Sequence, residues 1–95
     1  MVRIIDNKCM VTARLISLQD DEDGSGLLVL CIRVIRVDSI GEYPLLFRLQ
    51  QGQNGKLYVH PDEVSMPLTA GTDYRFPVKA TGPDIYFVAG AIEKS

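Results

Sequence analysis

Ninety-five residues, 46% hydrophobic and 23% charged, suffice for one small folded domain and are too few for two. A net charge of −2 at pH 7 excludes a protein that holds polyanions by bulk charge alone, and the apolar content excludes a disordered chain. Residues 1–6 have no apolar h-region and no cleavage-like site, so no secretory leader is expected. The longest apolar run is interrupted by Arg33 and Arg36, so no membrane span is expected either.

Residues 1–7 read as a lead-in and residues 8–19 as a first strand. Val11, Ala13 and Leu15 share one parity, with Thr12 and Arg14 on the other; then Ile16 and Leu18 take over the apolar role. A parity switch inside one strand predicts a bulge or a sharp bend. Residues 20–26 form an acidic turn. From Asp21, oxygen-bearing side chains stand at alternate positions through Asp23 and Ser25, and Gly26 is sixth, as in the first half of an EF-hand calcium loop. The second half fails: position twelve is Ile32 instead of a bidentate glutamate, and no helices flank the loop. A solvated hairpin loop is the reading adopted, and no metal site is assigned.

Residues 27–37 are apolar on both parities. Leu28, Leu30, Ile32 and Val34 supply one face; Leu27, Val29, Cys31, Ile35 and Val37 add a second set. Branched aliphatics at strand length, bounded by turns, predict a long strand with both faces at least partly covered. Arg33 and Arg36 mark a slip of phase like that in the first strand. Two long strands that change face suit a small barrel, where each serves two sheets at the corners.

Residues 38–42 read as a turn. Residues 43–50 read as a strand with Leu45, Phe47 and Leu49 inward and Leu46, Arg48 and Gln50 outward. Residues 51–55 read as a turn through Asn54 and Gly55. Residues 56–60 alternate again, with Leu57 and Val59 on one face, until Pro61 stops the strand. At most one short helical turn follows near residues 61–66, with proline at its start and Asp62 and Glu63 at its positive end. Tyr74, Phe76, Val78 and Ala80 alternate with Arg75, Pro77 and Lys79; Pro77 cannot donate to a ladder, which points to an edge strand or a strand crossing. Residues 85–92 make the last strand, with Phe87 on the core parity and Tyr58 and Tyr86 as exposed rings. Residues 93–95 read as a tail.

Five or six strands with one helical turn between the third group and the fourth is an order that resembles the OB-fold, a five-stranded Greek-key barrel. The resemblance is architectural, spans residues 8–92 and rests on no motif. An SH3-like barrel or a small open sandwich is the alternative. The expectation is an all-β domain over residues 1–95, a small five- or six-stranded antiparallel barrel, OB-fold-like.

Cys9 and Cys31 are too few for a disulfide scaffold or a zinc site. In a hairpin of the first two strands Cys9 lies opposite about residue 37, so no bridge between them is expected, and a reducing, cytoplasmic setting is. Catalysis has little footing. Ser17, Ser25, Ser39 and Ser65 lie in no nucleophile elbow, Asp62 and Glu63 are neighbours that point apart, and His60, the only histidine, has no partner by spacing. No glycine-rich segment opens a helix to cradle phosphate. No catalytic residue, cofactor or metal is assigned, and a non-enzymatic interaction module is expected.

Two surfaces compete for that role. The apolar surplus at Leu27, Val29, Cys31, Ile35 and Val37 would be buried by a protein partner or by self-association through the face or edge of this strand; an assembly domain, joined as a homo-oligomer, is the first expectation. The alternative is a single-stranded nucleic-acid binder. Arg33, Arg36, Arg48 and Lys56 would contact phosphates beside Tyr58 and His60, the role that the second and third strands carry in OB-folds.

Overall fold

The structure, a computed structural model, describes residues 7–21, 24 and 26–95. Six strands follow in chain order: β1 (Cys9–Asp20), β2 (Leu28–Ser39), β3 (Asn54–Val59), β4 (Asp73–Gly82), β5 (Ile85–Val88) and β6 (Glu93–Lys94), with a 3-10 turn at Pro61–Glu63 between β3 and β4. Their order in the sheet is β1-β2-β3-β5-β4-β6, and β1 also pairs with β4. Five strands therefore close into a barrel, OB-fold-like, and β6 is the extra strand. All ladders are antiparallel except that of β3 with β5, which meet in parallel at Tyr58 and Phe87.

Alternation drives this arrangement. Val11, Ala13 and Leu15 of β1, Leu30, Ile32 and Val34 of β2, Leu57 and Val59 of β3, and Phe76 and Val78 of β4 are almost wholly withdrawn from water. Each comes from one parity of its strand, as period-two geometry requires. The parity switch expected in β1 is a real irregularity: the β1–β2 register shifts between Leu15 and Ser17, leaving Ile16 unpaired. A second shift opposite Thr12 and Ala13 leaves Ile35 of β2 unpaired. After the first shift Leu18 stands opposite the buried Leu30, yet it stays exposed because β1 has by then outrun β4.

Several expectations need correction. Residues 43–50 form no strand, and Asn54 and Gly55 lie inside β3 instead of in a turn. The chain reverses at residues 50–53, where Gly52 takes a φ of 87° and the Gln53 amide donates to the Gln50 carbonyl. β4 is not an edge strand. Pro77 is buried, pairs with Met10 of β1, and accepts a hydrogen bond from the Ala89 amide at 2.7 Å. Its missing donor falls where the β4–β5 ladder ends, one residue beyond Val88, so no partner is lost. Gly90 then passes over the ring at a φ of 155°, where a Cβ would come within 3.0 Å of Pro77 Cγ. The last strand, expected over residues 85–92, accordingly ends at Val88. Glu93 and Lys94, expected as a tail, pair with Arg75 and Tyr74.

Before β1, Asn7 is 6% exposed and acts as a strand in miniature. Its Nδ2 donates to the Ala80 carbonyl at 2.9 Å, and its Oδ1 accepts from the Ala80 amide at 2.8 Å. Asn7→Ala leaves both backbone groups of the half-buried Ala80 without this partner and is expected to cost about 2 kcal/mol in urea denaturation; an unchanged midpoint would contradict the assignment.

Cys9 and Cys31 are both free. They stand opposite Ser39 and Ser17 respectively, at different places in the β1–β2 ladder. Burial pushes the Cys9 thiol up to about 11 from 9.0, because its thiolate would lose hydration. The folded chain thus holds this proton more firmly than the unfolded one does. The resulting stability is complete below pH 9 and is lost as the pH rises through 11. Cys9→Val should flatten the fall in urea midpoint over that interval relative to the unsubstituted chain.

Candidate functional site

The outer faces of β2, β3 and β5 are set by the same alternation that fills the core. Because Leu57 and Val59 point inward, Lys56, Tyr58 and, through the extended residue that follows β3, His60 point outward. They stand roughly 7 Å apart along the strand. The parallel β3–β5 pairing sets Phe87 beside Tyr58 on this face. The two ring centroids lie 5.6 Å apart at 31°, and His60 approaches Phe87 at 6.1 Å and 32°. Val29 of β2 stands opposite Tyr58 on the other side, 5% exposed, and Lys79 of β4 stands opposite Phe87. A three-ring row thus runs across the sheet, with Lys56 and Lys79 exposed at its margins.

Charge is distributed unevenly over the barrel. Arg14 pairs with Asp73 at 3.0 Å, Arg36 with Asp38 at 2.9 Å, and Arg75 more loosely with Glu93 at 3.9 Å. Among the described residues no carboxylate lies within ion-pair distance of Arg33, Lys56 or Lys79. Arg33 shares the outer face of β2 and donates from Nε to Asn54 Oδ1 at 3.2 Å. The ring row therefore sits in the part of the sheet whose cations are not neutralised, within a chain of net negative charge.

Of the six residues expected to contact nucleic acid, Arg33, Lys56, Tyr58 and His60 share this face. Arg36 and Arg48 lie elsewhere, at a groove described below. The expected exposure of Tyr86 and burial of Phe87 are reversed. Tyr86 is 3% exposed, packs its ring against that of Phe47 at 4.6 Å with a 54° tilt, and accepts the Arg48 amide proton on its hydroxyl at 3.2 Å. Its hydroxyl is satisfied inside, which turns Phe87 outward. Phe87 and Lys79 carry no local signal of their role, since only the long-range pairing brings them beside β3.

The apolar surplus of residues 27–37 is covered largely by the chain itself. Val29 is buried, and Leu27, Cys31, Ile35 and Val37 are half-buried. The chain covers this set in part: Val29 is buried beside Tyr58 and Val37 packs against the core, whereas Ile35 and Val37 also line an open groove. The large apolar side chains that do face water include Tyr43, Leu45 and Leu46 in the connection between β2 and β3.

That connection packs over one end of the barrel. Phe47 is 8% exposed against Tyr86, and Leu49 packs onto the core so closely that a Cβ on Gly55 would collide with its Cδ1. Leu45, expected inward, is 50% exposed. Between residues 45–51 and the end of β2 runs an open groove of about 610 Å³.

The acidic turn considered for calcium includes Glu22, Asp23 and Ser25, which lie outside the described residues. Among the described residues, no group of three or more His, Cys, Asp or Glu side chains is arranged to hold a metal ion. No helix among them is long and apolar enough to cross a membrane. No protein-family model matches this sequence, and no curated protein matches it.

The Tyr86 hydroxyl is the tether of the β2–β3 connection. Tyr86→Phe is expected to cost about 1 kcal/mol in urea denaturation and to speed amide exchange at Arg48; an unaltered Arg48 exchange rate would show that the tether does not hold the segment.

Proposed function

We propose that this barrel is a non-enzymatic, cytoplasmic binding module that takes single-stranded nucleic acid on the outer face of β3 and β5. The observation that carries the reading is the row of Tyr58, Phe87 and His60, whose ring contacts lie at 5.6 and 6.1 Å on one solvent-facing sheet surface. Unpaired bases stack on such rings regardless of sequence, and flanking cations follow the phosphates. Arg33, Lys56 and Lys79 are the cations in place here. Val29 adds an apolar floor beside Tyr58. The two free thiols are in keeping with a reducing compartment. Self-association through the broad face of residues 27–37 has less support, since the chain buries Val29 and half-buries Leu27, Cys31, Ile35 and Val37.

Three phosphate contacts imply modest affinity and a clear salt response. The logarithm of the binding constant should fall against the logarithm of salt with a slope of about −2. The test is fluorescence anisotropy of labelled oligothymidylate at low salt. Tyr58→Ala should remove about 1–3 kcal/mol of binding, and Lys56→Glu should weaken binding and flatten the salt slope. No binding at low salt, or binding indifferent to both substitutions, contradicts the proposal.

A further inference from the structure

β2 has two edges with different fates. Its first edge pairs with β1 from Leu28 to Ser39, with Ile35 alone skipped at a register shift. Its second edge pairs with β3 only over residues 28–33. At Val34 that edge is still occupied, since the amide donates to the Gln53 carbonyl at 2.9 Å and the carbonyl accepts from the Gly52 amide at 2.8 Å. Over residues 35–39 no strand among the described residues pairs with it. A sheet edge of this kind presents a row of backbone donors and acceptors to any extended chain that can reach it.

The neighbouring connection does not fill the place. Residues 44–50 run close by, but among the described residues no backbone hydrogen bond joins them to residues 35–39. The Arg48 amide donates to the Tyr86 hydroxyl, the Gln50 amide donates to its neighbour Gln53 at Oε1, and Pro44 has no amide proton. Phe47 anchors the segment to Tyr86. The connection is thereby fixed as the far wall of a groove, with the free edge of β2 as the near wall.

The lining decides what fits. Ile35 and Val37 on the near wall and Leu45 and Leu49 on the far wall are apolar, and Arg36 and Arg48 are the charged side chains. Arg36 is already paired with Asp38, whereas Arg48 is exposed and, among the described residues, has no carboxylate within ion-pair distance. We infer that this groove receives an extended segment of a partner protein, one that alternates apolar and acidic residues and adds a strand to the free edge of β2. Backbone hydrogen bonds to the edge supply the docking, alternate apolar side chains enter between Ile35, Val37 and Leu45, and a carboxylate meets Arg48. The site is separate from the ring row on β3 and β5 and does not depend on the nucleic-acid reading.

The test uses the full chain and a short, blocked, dye-labelled peptide alternating valine and glutamate, followed by fluorescence anisotropy. A valine–lysine peptide of the same length is the charge control, and a valine–glutamate peptide N-methylated along one edge is the backbone control. The glutamate peptide should bind at least roughly tenfold more tightly than either control. Arg48→Glu should abolish or reverse the charge preference. Leu45→Asp, at an exposed position, should weaken binding without moving the urea midpoint. The inference is overturned if the glutamate peptide fails to bind at about millimolar concentration, or if the N-methylated peptide binds equally well. It is overturned equally if sedimentation shows a dimer that Leu45→Asp dissolves and that excludes the peptide, since the occupant is then a second copy.

Discussion

Over residues 9–14, β1 holds two ladders at once, one with β2 and one with β4. Shared pairing is what closes the barrel, and it demands that a single strand coil strongly enough to face both neighbours. The register shifts in the β1–β2 ladder supply that coiling. Val11, Ala13 and Leu15, all wholly buried, show which way the concave side turns. Past Leu15, β1 leaves β4 and continues beside β2 alone, so closure is complete at one end and relaxed at the other. Small side chains at the shared segment matter for the same reason: Ala13 sits between Val34 and Tyr74, where a larger residue would push the neighbouring strands apart.

The two surfaces of interest follow from this geometry. Closing five strands requires β5 to lie beside β3, although residues 60–84 separate them in the chain, and that neighbourhood creates the ring row. Closing them also draws β3 away from the far half of β2, since β3 can follow β2 for only six residue pairs before the connection must begin. A free edge and a groove remain. The paired Arg36 and Asp38 keep that edge charged and hydrated in the isolated chain. Burying the aliphatic surplus of β2 internally and leaving one of its edges open are two results of the same bend.

Much of the fold was legible because alternation is strict where it matters. Tyr74, Phe76 and Val78 of β4 and Leu57 and Val59 of β3 announce their inward faces, and the parity switch at Ile16 announces the bend. What was not legible depends on distant partners. Residues 85–88 are apolar on both parities, so only the contact of Tyr86 with Phe47 and Arg48 decides which ring turns in. Residues 43–50 alternate like a strand, but among the described residues no strand pairs with them. Asn54 and Gly55 look like a turn; Gly55 is small because Leu49 occupies the space above it. Lys56, Tyr58 and His60 could be placed on one face by spacing alone, whereas Phe87 and Lys79 could not. The role of Asn7 had no signature, since any polar residue in a lead-in reads as solvated.

Residue-resolved amide hydrogen exchange tests the shared pairing of β1 most directly. Amides of residues 9–14, enclosed by two ladders, should be among the slowest in the molecule, while those on the unpaired edge of β2 beyond Val34 should exchange orders of magnitude faster. Uniform protection along the whole of β2, or fast exchange throughout residues 9–14, would contradict a barrel closed by β1 and left open beside the end of β2.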